Sequence, residues 1–232
     1  MKGYNPSESR EEPPRVPREK EHPVPDNPLD KVLRLKRANP TRAFDPKGGR
    51  LPPGQYLTEK FPVLHYGGVP RFDPKSWDFK IWGLVENPIR LTWEEFLKLP
   101  TQRVVTDIHC VTRWSKFDTA WEGVPWSWVM ENAKPKPEAK FIMAHCEFGF
   151  TANVPLDEML SDENAMLAYR YDGKPLEPDH GYPLRLFVPH LYFWKSAKWL
   201  RGIEFMANDR PGFWEGYGYH MRGDPWTEER FS

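Results

Sequence analysis

Val104-Val105-Thr106-Asp107-Ile108-His109-Cys110-Val111-Thr112-Arg113-Trp114-Ser115 reads as a buried strand that ends by placing one thiol at its tip. β-branched and apolar residues carry the strand, and the period of two puts Val104, Thr106, Ile108 and Cys110 on one face. A cysteine so placed is a small buried hydrophobe unless its surroundings give the sulfur a task. Beyond it the chain turns to an uncommon mixture of cation, indole and hydroxyl, and Arg113 would favour the thiolate, the form that attacks or ligates.

Outward from this stretch the chain is long enough for one large domain, with 39% hydrophobic and 15% aromatic residues to build its core. Thirty-three basic and 33 acidic residues cancel, which argues against a general nucleic-acid or anionic-membrane binder while leaving room for a local basic pocket. There is no apolar run of about 18 residues, so no membrane span is expected. The opening residues are polar, charged and proline-rich, without a secretory or twin-arginine pattern, and the expected setting is cytoplasmic. Two cysteines in such a chain read as free thiols.

Residues 1–50 read as a proline-rich arm with a short amphipathic helix over Leu29–Arg37, and residues 51–232 as the domain. Within the domain, Trp77–Trp82 alternates apolar and charged side chains as a strand with one wet face. Thr92 and Glu95 form a capping box for a helix that Pro100 would stop. A loop is expected through Trp121–Pro125, then a short helix over Trp126–Glu131. Phe141–Cys146 is a second buried strand, and Thr151–Pro155 leads into a helix over Leu156–Leu160. Ala165–Tyr171 is strand-like and ends at the hairpin signal Asp172-Gly173, followed by strands over Leu184–Val188 and Ile203–Met206. Short strands with scattered short helices and long loops predict one β-rich α+β domain.

His109-Cys110 and His145-Cys146 together make two histidines and two cysteines, a set that suggests zinc. Adjacent residues on a strand point to opposite faces, which counts against their convergence on one tetrahedral ion. A cysteine nucleophile with His109 or His145 as base is a further reading, although nothing in the sequence marks an oxyanion hole. A second constellation runs from His180-Gly181-Tyr182-Pro183-Leu184-Arg185 to Lys195-Ser196-Ala197-Lys198-Trp199-Leu200-Arg201. A charge run is usually a solvated edge, but Arg185 lies inside an otherwise apolar strand, where an unpaired guanidinium is costly. Lysines, a serine and backbone amides around Ser196 have the make-up of an anion cradle, and a buried phosphate would answer both. Neither a Walker loop nor a dinucleotide fingerprint occurs. The tail Gly216–Trp226, rich in glycine and aromatics, reads equally as a packed end, a pocket wall or a dimer contact.

Four segments in this order, Phe61–His65, Cys110–Ser115, His180–Leu186 and Lys195–Leu200, resemble the oxidoreductase molybdopterin-binding domain of the sulfite oxidase family. The likeness is in particular to its small haem-free bacterial members, such as methionine-sulfoxide reductase catalytic subunits. The resemblance implies the β-rich mixed-sheet fold of that domain and a molybdenum–molybdopterin cofactor, with Cys110 as the protein's one ligand to the metal. A soft thiolate beside a soft dithiolene is chemically consistent. By matching position, Leu64, His65, His180, Arg185, Ser196, Ala197 and Lys198 would hold the pterin and its phosphate, with Lys195 a neighbouring candidate. His145, or its neighbour Cys146, would face the cofactor from the second buried strand, and Arg113 would project toward the open metal face to attract a small oxyanion.

The expected activity is therefore oxygen-atom transfer to or from a small sulfite- or sulfoxide-like substrate, with Cys110 and Arg113 at the reacting centre. Electrons would pass to or from a separate haem, flavin or quinone protein, since the chain carries no haem-attachment, iron–sulfur or flavin motif. A second copy of the chain is a candidate partner. The contrasting expectation is a non-catalytic or zinc-stabilised module that binds a phosphorylated ligand in the basic pocket.

Overall fold

The computed structural model describes residues 49–232; the expected arm and its helix lie outside these residues except for positions 49 and 50. Among the described residues eleven strands form two mixed sheets, as the α+β expectation requires. In the first, β5 (Trp114–Pro125) is the spine. It pairs in parallel with β1 (Tyr56–Leu57) and antiparallel with β4 (Gln102–His109) and β8 (Met166–Tyr171). Beyond β8 lie β9 (Lys174–Pro175) and β10 (Arg185–Phe187). The second sheet runs β3 (Ile89–Thr92), β2 (Asp78–Gly83), β11 (Leu200–Met206), β6 (Phe141–Cys146) and β7 (Thr151–Pro155). Only the β2–β11 pair is parallel there.

Two segments differ from the sequence expectation. Trp121–Pro125, expected as loop, is the end of β5, where Trp121 pairs with Val104 and Tyr171. Glu122 and Gly123 hide that strand in the sequence because they interrupt its apolar pattern. Gly123 is demanded by the packing, since a Cβ there would stand 2.3 Å from the carbonyl oxygen of Leu167 on β8. Thr151–Pro155 is likewise a strand, pairing with β6 residue by residue from Phe141–Pro155 to His145–Thr151.

The helices are short. α1 (Trp93–Phe96) opens with the expected capping box, Thr92 accepting from Glu95 N and Glu95 accepting from Thr92 N, and ends before Pro100. α2 (Trp126–Ala133) runs two residues past the expected end and stops at Lys134 in the left-handed region. α3 (Leu156–Ser161) follows β7, and α4 (Phe213–Gly216) lies in the aromatic tail. One core joins the sheets, with Ile81, Ile142 and Ile203 from the second and Val124, Leu167 and Leu186 from the first. Another gathers around the end of β4, where Ile108, Cys110 and Trp114 pack with Trp121, Phe187, Tyr192 and Tyr219.

Candidate active site

The thiol sits where β4 gives way to β5. Cys110 N donates to Trp114 O at 2.8 Å and Arg113 N to Cys110 O at 2.9 Å, which closes a tight turn whose last residue, Arg113, has a φ of 78°. The Cys110 Sγ lies 3.1 Å from Thr112 Oγ1, and the residue is 8% exposed. That small exposure faces a cavity of about 780 Å³, part of it open to solvent.

Cys110, Leu64, His65, His180, Arg185, Ser196, Ala197 and Lys198, far apart in sequence, all line this cavity. β10 delivers Arg185, fully covered at 2% exposure. Its Nη1 donates to His180 O at 2.9 Å and its Nη2 to Ser196 O at 2.5 Å. Phe193 lies under the guanidinium, 4.2 Å from ring centre to Cζ. Both polar partners are neutral carbonyls, Nε has none among the described residues, and no carboxylate pairs with this arginine there. Burial pushes its pKa down to about 9, the sign of a cation short of compensation.

The cradle around it is built from two crossing segments. His180 stacks on Phe61 with ring centres 3.9 Å apart, and its Nε2 lies 3.2 Å from Phe61 O. Burial lowers its pKa, so the imidazole is held toward the neutral form. Gly181 follows at φ 110°, and a Cβ there would press within 3.2 Å of the Lys198 side chain, so the turn needs glycine. Lys198 Nζ donates to Asp179 O at 2.7 Å, and Ser196 Oγ accepts from Val188 N at 2.9 Å. Across the cavity His65 meets Trp199 edge-on at 5.3 Å, with Nδ1 2.9 Å from Gly67 O.

Other expected site residues are placed elsewhere. Lys195 does not reach the cavity; it is fully buried beneath it, donating to Glu215 Oε1 (2.6 Å), Asn153 O and Oδ1 (2.8 Å each) and Met221 O (2.6 Å). With its donors committed to these acceptors, the ammonium ties structure together. His145 lies on the second sheet, its Nε2 2.8 Å from Glu204 Oε2 and its ring 4.9 Å from Trp82, and it does not line the cavity. Its neighbour Cys146 points into the joint core, where burial raises the thiol pKa. Arg113 turns away from the cavity as well, its Nη1 lying near Glu228 Oε1, Arg230 Nη2 and the Gly54 turn.

The zinc and nucleophile expectations find no support in this geometry. His109 is buried against Ser115, with Nδ1 2.9 Å from Oγ, and burial pushes its pKa down to about 4. Among the described residues no three histidines, cysteines or carboxylates are grouped to hold a metal. Sequence reasoning misses the aromatic wall: Trp114, Phe193, Trp194, Trp199, Trp214 and Tyr219 also line the cavity. Tyr219 is 1% exposed; its pKa is raised by burial first and then by the charge of Cys110. Its one signal is the glycine-aromatic tail, which equally suggests simple packing.

The residues present fit an anionic pterin cofactor: the cavity is lined by a soft thiol, by a buried guanidinium that has no carboxylate partner among the described residues, and by Lys198. Comparison with known proteins agrees. The family model described as "Oxidoreductase molybdopterin binding domain" matches residues 66–214, more than half of the chain. An uncharacterized oxidoreductase, YuiH, of Bacillus subtilis is 50% identical over 83% of this chain and 96% of its own length. The protein-methionine-sulfoxide reductase catalytic subunit MsrP of Campylobacter jejuni is 33% identical over 63% of this chain, which spans 54% of that relative. Among solved structures, the sulfane dehydrogenase SoxCD of Paracoccus pantotrophus superposes with a TM-score of 0.56 at 25% identity, covering 63% of this chain and 42% of that one. The chain is thus an oxidoreductase of the molybdopterin-binding, sulfite oxidase-like family, with molybdenum–molybdopterin as its cofactor.

Proposed function

We propose that Cys110 ligates the molybdenum and that the enzyme transfers an oxygen atom to or from a small, neutral, sulfoxide-like substrate. The observation that carries this reading is the sharing of one cavity by the Cys110 thiol and the buried Arg185, which has no carboxylate partner among the described residues. When bound, the cofactor supplies two-electron oxygen-atom chemistry; the chain's residues bind it, orient it and limit water around it. Arg185, His180, Ser196 and Lys198 hold the pterin and its phosphate, and Leu64, His65 and Ala197 complete the wall. Trp114 and Trp214 keep the Cys110 side of the cavity apolar.

The orientation of Arg113 supports a neutral substrate over sulfite. Recognition of a small oxyanion draws on guanidinium or ammonium groups facing it, and this arginine faces the Gly54 turn instead. Its expected role at the reacting centre is accordingly replaced, and Tyr219 is the polar group proposed to face the substrate. Enzyme membership removes the ground for a non-catalytic, zinc-stabilised module. Domain limits at 51–232, a cytoplasmic setting, a separate haem, flavin or quinone electron partner and a homodimer remain parts of the proposal. Fractionation, partner-dependent turnover and solution mass address the last three.

The direct test is protein made in a host that synthesises the cofactor. One molybdenum and one pterin per chain are expected, with Cys110→Ser losing the thiolate-to-metal absorption band and nearly all turnover. Sulfoxides should be turned over in preference to sulfite. A band that survives Cys110→Ser would remove the ligand assignment, and preferential sulfite turnover the neutral substrate.

A further inference from the structure

Resting on the reading of Cys110 as the metal ligand, we infer that Arg230, near the other end of the chain, is the positioning residue for its thiolate. The Cys110 turn exposes two carbonyls to the interior, and each receives a side chain from a distant segment. Gln55 Nε2 donates to Cys110 O at 3.0 Å, and Arg230 Nη1 donates to Val111 O at 2.9 Å. Arg230 Nη2 donates to Pro53 O at 3.2 Å, so one planar guanidinium fastens the ligand's turn to the segment that supplies Gln55. Gln55 is fully buried and Arg230 is 6% exposed. The guanidinium lies over the Tyr192 ring, 4.8 Å from its centre, which fixes its plane.

Fastening alone does not call for a charge. The nearest carboxylate, Glu228, is 3.8 Å away and its side chain is 48% exposed, so water weakens its hold on Arg230. Nε has no partner among the described residues. Burial lowers the Arg230 pKa first; among its neighbours Tyr192 raises it, the Arg113 cation lowers it, and Glu228 and Cys110 raise it. A planar fork satisfies two carbonyls while bringing its charge to the Cys110 turn; an ammonium can supply the charge but not that fixed two-ended grip.

Two measurements on the full chain separate this role from that of a mere staple for the tail. The first uses cofactor-free protein: hydrogen exchange at the amides of residues 110–114 should speed up about tenfold in Arg230→Met, with β2, β6 and β11 unchanged. The second compares loaded proteins at equal molybdenum and pterin content. Exciting the thiolate-to-metal band removes charge from sulfur, so losing a nearby cation should move the band to lower energy in Arg230→Met. Arg230→Lys should leave the band near its wild-type position. Unchanged exchange overturns the positioning role. A band that moves in neither variant, or equally in both, overturns the electrostatic role. If Cys110 is not the ligand, wild-type protein itself lacks the band, and the exchange result still decides whether Arg230 holds the turn.

Discussion

Arg185 is the residue at which sequence and structure agree most closely on a physical difficulty. A guanidinium inside an apolar strand is conspicuous because its burial is costly, and the structure leaves it without a carboxylate among the described residues. Arg185→Ala should therefore lower pterin retention several-fold, by more than its loss of thermal stability accounts for, as measured by released pterin fluorescence and Tm. Lys195 teaches the opposite lesson. It is one residue from Ser196, yet its side chain leaves on the other side, and nothing in the residue order shows which way it points. Buried His109 and half-buried His190 titrate in opposite senses. His109 is held neutral by burial, with a folded pKa of about 4, so stability should fall as pH drops below its unfolded value of about 6.5. Burial alone would lower His190 too, but hydrogen bonds to Asp162 and Glu158, both 2.8 Å from its ring, prevail and raise it. Its contribution is fully present below about pH 6.5 and is lost as pH rises through the raised folded value. Melting across pH in His109→Gln and His190→Asn should show the acid-side slope reduced in the first and the alkaline-side loss reduced in the second.

At the scale of elements, the segment between β10 and β11 carries most of the cradle, and its placement depends on α4. Lys195 and Glu215 are both fully buried and 2.6 Å apart, and Trp194 Nε1 donates to the same Glu215 oxygen at 2.7 Å. This pair fastens Trp194 and Ser196 to the helix that bears Trp214. Glu215→Gln or Lys195→Met alone should destabilise by about 3–5 kcal/mol, because each leaves a buried charge unpaired. The Lys195→Met/Glu215→Met double variant should cost distinctly less than the sum, and denaturant unfolding of the three proteins checks it. Helix signals were more transparent. The Thr92–Glu95 box marks where α1 starts, because the bonds it makes are local. Strand ends were less legible, as in β5, because Glu122 and Gly123 are tolerated there only through pairing with β8.

For the whole molecule, the joint core determines cooperativity. Val124 and Leu186 of the first sheet pack in one cluster with Ile142 and Ile203 of the second, so neither sheet keeps a complete core without the other. Residues 49–232 should unfold in one transition, with tryptophan fluorescence and far-ultraviolet circular dichroism giving coincident midpoints. Trp121→Ala, which empties a fully buried indole site against Phe187 and Tyr171, should lower that shared midpoint by about 3–5 kcal/mol of stability without splitting it.

By itself the sequence determined what local patterns and chemical incongruity can carry. The alternating strands, the capping box, the thiol at a strand tip and the arginine in an apolar strand were all visible, and four segments in order resembled a molybdopterin-binding domain. Only the tertiary structure decided which face each side chain uses. It put Arg113, His145 and Lys195 outside the cavity, and brought Tyr219 to its wall and Arg230 to the turn that follows Cys110. The reason is physical: periodicity specifies a residue's face within its own element, whereas convergence depends on turns and crossings whose dihedrals, such as the 78° φ at Arg113, are settled only when distant segments pack.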